Sequence, residues 1–243
     1  MASLKKHRQD WEDLAELDPM WAVLSAPDKA GNKWDPEEFY AAGATTIRNR
    51  RAALKKLELP DSFDRVLDFG CGLGRLTYAW AAHAKEAVGL DISEAMVTQA
   101  TAAARTPNAR FVHSAEGLPD AFPEGHFDLV YSEIVLQHIP DTDAILRVLR
   151  EFRRVVKPGG VVLFQLPAAL PLGMRIKYRR VLYHLLQKVG FSPAFLLRKL
   201  GLNPMKMSFV PSKVVLEIFG AGFEHKATLF PETKNTTYIF VRK

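Results

Sequence analysis

Between Val66 and Gly74 the sequence reads Val-Leu-Asp-Phe-Gly-Cys-Gly-Leu-Gly. An apolar run ends in an acid, Asp68, and passes into three glycines spaced by two, Gly70, Gly72 and Gly74. Glycine suits a chain that turns sharply and brings its backbone close to a ligand. A helix is expected from about Arg75, and the free N–H groups of its first turn favour an anion such as a carboxylate. A dinucleotide turn has the pattern G-x-G-x-x-G because a pyrophosphate lies on it. Here the pattern is G-x-G-x-G with an acid two residues ahead. That acid repels a pyrophosphate and attracts an ammonium, and a ligand with both ammonium and carboxylate is an amino acid.

A second acid, Asp91, closes the run Gly89-Leu90-Asp91-Ile92-Ser93, 21 residues after Gly70. An acid at a strand end accepts hydrogen bonds from both hydroxyls of a ribose. Nicotinamide enzymes use the same device, so Asp91 alone does not choose the cofactor, and a helix N-cap is its plainer use. A third candidate is Ser132-Glu133-Ile134-Val135-Leu136-Gln137-His138-Ile139-Pro140. A neutral imidazole at His138 can take a proton from a hydroxyl near pH 7; it can equally be scaffold that packs the loop or caps the next helix. Gln137 is a candidate to orient a substrate and Glu133 to contact either ligand. The single cysteine, Cys71, excludes an intrachain disulfide and a cysteine-based zinc site. No compact Asp/Glu/Asn cluster indicates a divalent metal, though the sequence leaves one open.

These residues need a frame. Apolar runs at 65–68, 87–91, 109–112, 127–131 and 161–166 read as strands separated by helices, the clearest helix being Thr142 to Val156 before Lys157-Pro158-Gly159-Gly160. Such alternation implies a buried parallel sheet with helices on both faces. A helix near 212–219, a Gly-Ala-Gly turn and two strand-like stretches follow, the last at 237–241. The fold class expected is α/β, a doubly wound seven-stranded mostly parallel sheet with a terminal antiparallel hairpin. Residues 1–60 read as a helical flank, with Asp35 capping a helix, Pro36 in its first turn and Glu38 as capping-box partner. Its rings, among them Trp11, Trp21, Trp34, Phe39 and Tyr40, either pack the flank onto the main domain or line a substrate pocket.

The segments VLDFGCGLG, GLDIS, FDLVYSEIVLQHIPD and LREFRRVVKPGGVVLFQLP, in this order and spacing, resemble the class I, Rossmann-like S-adenosylmethionine (SAM) dependent methyltransferases. The resemblance covers roughly residues 61–167 and, more loosely, the C-terminal hairpin. It implies that Asp68, Gly70, Cys71, Gly72 and Gly74 hold the methionine part of SAM, that Asp91 holds the ribose, and that Ile92 lies against the adenine. Ser114-Ala115-Glu116 would meet the adenine edge; many relatives have Asp where this chain has Ser114, and Glu116 is the substitute. Ser132 and Glu133 would stand beside the transferred methyl, with His138 as base and Gln137, Trp34 and Tyr40 toward the acceptor. The implied reaction is O-methylation of a small-molecule or glycosidic hydroxyl, with S-adenosylhomocysteine as product. An N- or C-methyltransferase, or a SAM-binding protein without transferase activity, is the alternative.

The chain has 243 residues, 48% hydrophobic and 25% charged, enough for one α/β domain of about 150–200 residues plus decoration. The expected division is a flank over 1–60 and a SAM-binding domain over 61–243 with an insert at about 168–210. The N-terminus lacks the apolar core of a signal peptide, and no apolar run approaches the roughly 20 residues of a membrane span, so a soluble cytoplasmic protein is expected. The net charge of +6 is uneven. The insert holds eight Lys/Arg and no Asp or Glu, leaving 25 basic and 27 acidic residues elsewhere. That balance, and the absence of an NPPY-like tetrapeptide, argues against a nucleic-acid methyltransferase. Within the insert, apolar residues at 174, 178, 181, 182, 185 and 189 have helical spacing, and Ser192-Pro193 starts a second helix that Gly201 ends. By the resemblance it is a lid. Three readings stay open: a solvated basic face, attraction of an anionic or carrier-bound acceptor, and a helix lying on an anionic membrane. A homodimer also stays open.

Overall fold

The computed structural model describes residues 2–115, 118, 122–171 and 178–243. Seven strands, β1 (Phe63–Phe69), β2 (Ala84–Asp91), β3 (Ala109–His113), β4 (Phe127–Ser132), β5 (Val156–Gln165), β6 (Phe223–Leu229) and β7 (Thr237–Arg242), form one sheet in the order β3-β2-β1-β4-β5-β7-β6. Neighbours from β3 to β5 are parallel. The hairpin is antiparallel as expected, and β7 lies inside, between β5 and the edge strand β6.

Side chains alternate faces along a strand, and here both faces are buried. Leu67, Val88, Val130, Val162 and Phe164 pack on one side with Leu149 and Phe152 of the helix Thr142–Val155. Val66, Ala87, Leu129, Tyr131 and Leu163 pack on the other side with Ile47, Leu54, Leu76 and Trp80. This two-sided burial explains why the strands read as continuous apolar runs.

The helices are α1 (Ala2–Leu17), α2 (Pro19–Val23), α3 (Pro36–Lys56), α4 (Arg75–Ala81), α5 (Glu94–Ala103), α6 (Thr142–Val155), α7 (Tyr178–Lys188), α8 (Pro193–Arg198) and α9 (Ser212–Ile218). Asp35 caps α3 by accepting from the Glu38 N–H at 2.9 Å. Glu38 does not close a capping box: its carboxylate pairs with Lys29. α1 clamps onto α5, where Glu12 accepts from Ser93 Oγ at 2.9 Å and from the N–H groups of Glu94 and Ala95 at 2.7 and 3.1 Å. Ser93 itself caps α5 through the Met96 N–H.

The insert helices form near the expected places, with Ser192 capping α8. Met174, Arg175 and Lys177 lie outside the described residues. The direction of α7 differs from an ordinary packed amphipathic helix. Tyr178, Val181, Leu182, Leu185 and Val189 face outward, while Tyr183 is buried against Leu196 and Leu202. Among the described residues, no helix is long and apolar enough to cross a membrane.

Candidate active site

The chain runs outward from β1 to β2 and β3, then crosses back to β4. The loops after β1 and β4 therefore part and leave a crevice at the strand ends. A cavity of about 400 Å³ lies there.

Its floor is the glycine turn. Gly70 and Gly72 have φ of +78° and +51°, where a Cβ is strained. A Cβ on Gly72 would stand 2.5 Å from Val23 Cγ2 of α2, and one on Gly70 would collide with Val135. Flank and post-β4 loop thus wall a turn that has no room for side chains. The N–H groups of Gly70 and Cys71 donate to Leu90 O at 2.7 and 3.0 Å, which hooks the turn onto β2. The next residue, Asp91, accepts from the Gly72 N–H at 2.8 Å and the Ser93 N–H at 2.9 Å. Each carboxylate oxygen keeps a further lone pair for a ligand hydroxyl, and burial pushes this carboxyl up. Ile92, Ser114 and Ala115 continue the wall, with the Ser114 N–H on Asp91 O at 2.9 Å. Glu116 lies outside the described residues.

Three residues of the predicted set stand behind this wall. Asp68 is buried beneath the turn and accepts from Thr77 Oγ1 at 2.6 Å. Burial pushes its carboxyl up to about 7, against the Thr77 bond and the Arg75 charge. Gly74 precedes α4 and lies against Phe111 and Tyr78. Ser132 donates to Phe69 O at 2.9 Å and ties β4 to β1. Cys71 does line the cavity, its thiol pushed up by burial.

Arg75, which sequence reasoning passed over, lines the cavity at 3% exposure, and its Nε has no partner among the described residues. A buried guanidinium with a free donor suits a carboxylate. The signal was its place directly after Gly74.

The opposite end is built from distant segments. Glu133 receives both Arg50 Nε and Nη2 at 3.0 and 2.8 Å and the Tyr131 hydroxyl, so Arg50 of α3 holds the loop after β4. His138 Nδ1 lies 2.7 Å from Lys206 O. A carbonyl only accepts, so Nδ1 carries the proton and Nε2 the lone pair. Gln137 Nε2 donates to that lone pair at 3.2 Å, and Gln165 Nε2 donates to Gln137 Oε1 at 3.2 Å. Gln137 therefore positions His138 and does not line the cavity. Burial holds the His138 pKa below the usual histidine value. Trp11 stands edge-on to the imidazole at 5.5 Å, and beyond it His7 is driven down to about 4, by burial first and then by the charges of His138, Arg180 and Lys206. Nothing in sequence spacing connects His7 and Trp11 to a loop some 130 residues away.

Trp34 and Tyr40 are turned elsewhere. Trp34 Nε1 donates to Leu24 O at 3.0 Å and the Tyr40 hydroxyl to Leu73 O at 3.2 Å, within a cluster around Phe39 that seats the flank. Among the described residues, no group of three His, Cys, Asp or Glu could hold a metal ion.

The strand order β3-β2-β1-β4-β5-β7-β6 with β7 antiparallel, together with a glycine turn after β1 and an acid ending β2, is the fold of the class I, Rossmann-like methyltransferases. Residues 67–164 match the family described as methyltransferase domain. The chain is 36% identical over 140 residues to trans-aconitate 2-methyltransferase of Deinococcus radiodurans, covering 56% of this chain and 50% of that protein. It is 36% identical over 103 residues to the ubiquinone biosynthesis O-methyltransferase of Methylococcus capsulatus, covering 41% of this chain and 42% of that one. The chain thus spans half or less of the length of these relatives. Among solved structures, magnesium protoporphyrin IX methyltransferase from Synechocystis PCC 6803 with bound S-adenosylhomocysteine superimposes with a TM-score of 0.62 over 98% of this chain and 99% of that one, at 19% identity.

Proposed function

We propose that the chain transfers the methyl group of SAM to a hydroxyl oxygen of a small-molecule or glycosidic acceptor, leaving S-adenosylhomocysteine. The observation that carries this reading is His138: a neutral imidazole of fixed tautomer on the wall of the cavity at the strand-order reversal. When bound, SAM supplies a methyl group on a positively charged sulfur. The cavity has donors and acceptors for the rest of that molecule. Arg75 would hold the carboxylate, Asp91 would accept from the ribose hydroxyls, and Ile92, Ser114 and Ala115 would flank the adenine, while Asp68 acts on the ammonium from beneath the turn through its charge and not by contact.

At the acceptor end, the hydroxyl takes the place of the Gln137 amide at His138 Nε2. As the O–C bond forms, the hydroxyl proton passes to Nε2, and the Nδ1–H bond to Lys206 O steadies the imidazolium. α1 and α2 cover the turn and keep water out. Oxygen as the methylated atom draws support from the ubiquinone biosynthesis O-methyltransferase relative.

The test is His138→Ala, assayed against a panel of phenolic and glycosidic acceptors. Turnover is expected to fall by about 10²–10⁴, while the SAM dissociation constant by calorimetry stays nearly unchanged. In the wild type, turnover should rise with pH through an ionisation below the ordinary histidine value of about 6.5. An unchanged rate at saturating acceptor removes the role and leaves His138 as scaffold.

A further inference from the structure

Ten large apolar side chains are exposed among the described residues, and eight of them fall between 178 and 200. Tyr178, Val181, Leu182, Leu185 and Val189 recur at helical spacing and form one stripe along α7 and its end. Phe191, Phe195 and Leu200 extend it over α8, with the two phenylalanine rings stacked at 5.4 Å.

The helix is amphipathic in the inverted sense. Its inner side meets α1 through polar groups: Gln187 Oε1 accepts from Lys6 Nζ at 2.8 Å, His184 Nε2 stands 3.8 Å from Asp10, and Arg180 Nη2 stands 4.0 Å from the same carboxylate. A helix that only covered a pocket would place its apolar stripe inward. Here polar contacts anchor it, and the stripe is left to the outside. Lys188, Arg198 and Lys199 are exposed around the stripe, and no Asp or Glu occurs from 168 to 210.

We propose that α7 and α8 form a docking face for an anionic lipid bilayer, with the apolar stripe entering the headgroup boundary and the basic rim on the lipid phosphates. An exposed apolar stripe bordered by positive charge fits that partner. A second copy would set the same basic rim against itself across a two-fold axis, and an acidic carrier protein would use the charges and leave the ridge bare. The chain that follows α8 runs on to the cavity wall, where Lys206 O meets His138 and the Ser208 N–H donates to Gln137 O at 2.6 Å.

The experiment is co-sedimentation of the full chain with sucrose-loaded vesicles, either phosphatidylcholine alone or phosphatidylcholine with phosphatidylglycerol. Wild type should sediment with the anionic vesicles and much less with phosphatidylcholine alone. Leu182→Ser/Leu185→Ser/Val189→Ser should lose binding by about ten-fold or more. Lys188→Gln/Lys199→Gln should weaken it by on the order of ten-fold and flatten its salt dependence. Both variants should bind SAM as wild type does, since none of these residues lines the cavity. Wild type left in the supernatant, equal binding to both vesicle types, or full binding by the serine variant each overturns the proposal. A dimer dissolved by the serine substitutions, without vesicle binding, overturns it in favour of a second copy. No methyl acceptor enters the assay, so its outcome is separate from that of the hydroxyl-transfer reading.

Discussion

At the β1–β2 end of the cavity, ligand-facing groups are held by backbone. At the α1 and β4-loop end they are held by side chains that reach across the molecule. Gly70 and Cys71 hang on Leu90, and Gly72 and Ser93 on Asp91, contacts between adjacent strands and their loops. His138 depends on Lys206, Trp11 and a relay through Gln137 to Gln165. The charges differ too: the first end buries a carboxyl pushed up to about 7, the second buries two imidazoles pushed down. The first end is therefore fixed by local geometry. The second is assembled from distant segments, and its loop after β4 also closes over Gly70 through Val135.

The largest expected effect breaks the first end outright. Gly72→Val puts a branched side chain at φ +51° and into Val23, and SAM binding by calorimetry should vanish while thermal unfolding shows a folded chain. His138→Ala should leave SAM affinity nearly intact. If both variants lose SAM to the same degree, the division between the ends is gone.

Next comes Arg75→Met. A hydrogen bond to a charged group contributes about 1.5–3 kcal/mol, so SAM and S-adenosylhomocysteine should bind about ten- to a hundred-fold more weakly. An analogue that lacks the amino-acid part should bind as before. Equal losses for all three would mean that Arg75 supports the turn and holds no carboxylate.

The smallest effect is in pH. The folded-state values of His7 and His138 lie below the unfolded value near 6.5. Between them the unfolded chain binds more protons, so their contribution is lost as pH falls from about 6.5 toward about 4. Asp68 acts in the opposite sense. Its folded value, about 7, is above the unfolded one, so its penalty grows as pH rises from about 4 to 7. Melting temperatures across this window should become less acid-sensitive in His7→Gln and more acid-sensitive in Asp68→Asn. A shift of both variants in one direction contradicts the opposed burial of the two ends.

The same contrast explains what could be read from the residues alone. The strands, the glycine turn, Asp91, the Asp35 cap and the loop carrying His138 follow from short-range rules: turn geometry, period-two burial on both faces, and capping within a few residues. Arg50 on Glu133, Trp11 on His138 and Lys206 O on Nδ1 join segments 68 to 127 residues apart, and spacing says nothing about such pairs. Trp34 and Tyr40 belong to the flank's packing because the Leu24 and Leu73 carbonyls take their polar atoms. Helical spacing gave the stripe on α7 but not its direction, which the polar contacts to α1 set.

The central claim is that the turn and Asp91 hold SAM. Calorimetry of the wild type and Asp91→Ala with SAM, S-adenosylhomocysteine and NAD tests it most directly. Wild type should bind the first two and not NAD, and Asp91→Ala should weaken SAM by roughly 0.5–1.5 kcal/mol for each ribose hydrogen bond removed. NAD binding without SAM binding would contradict the account.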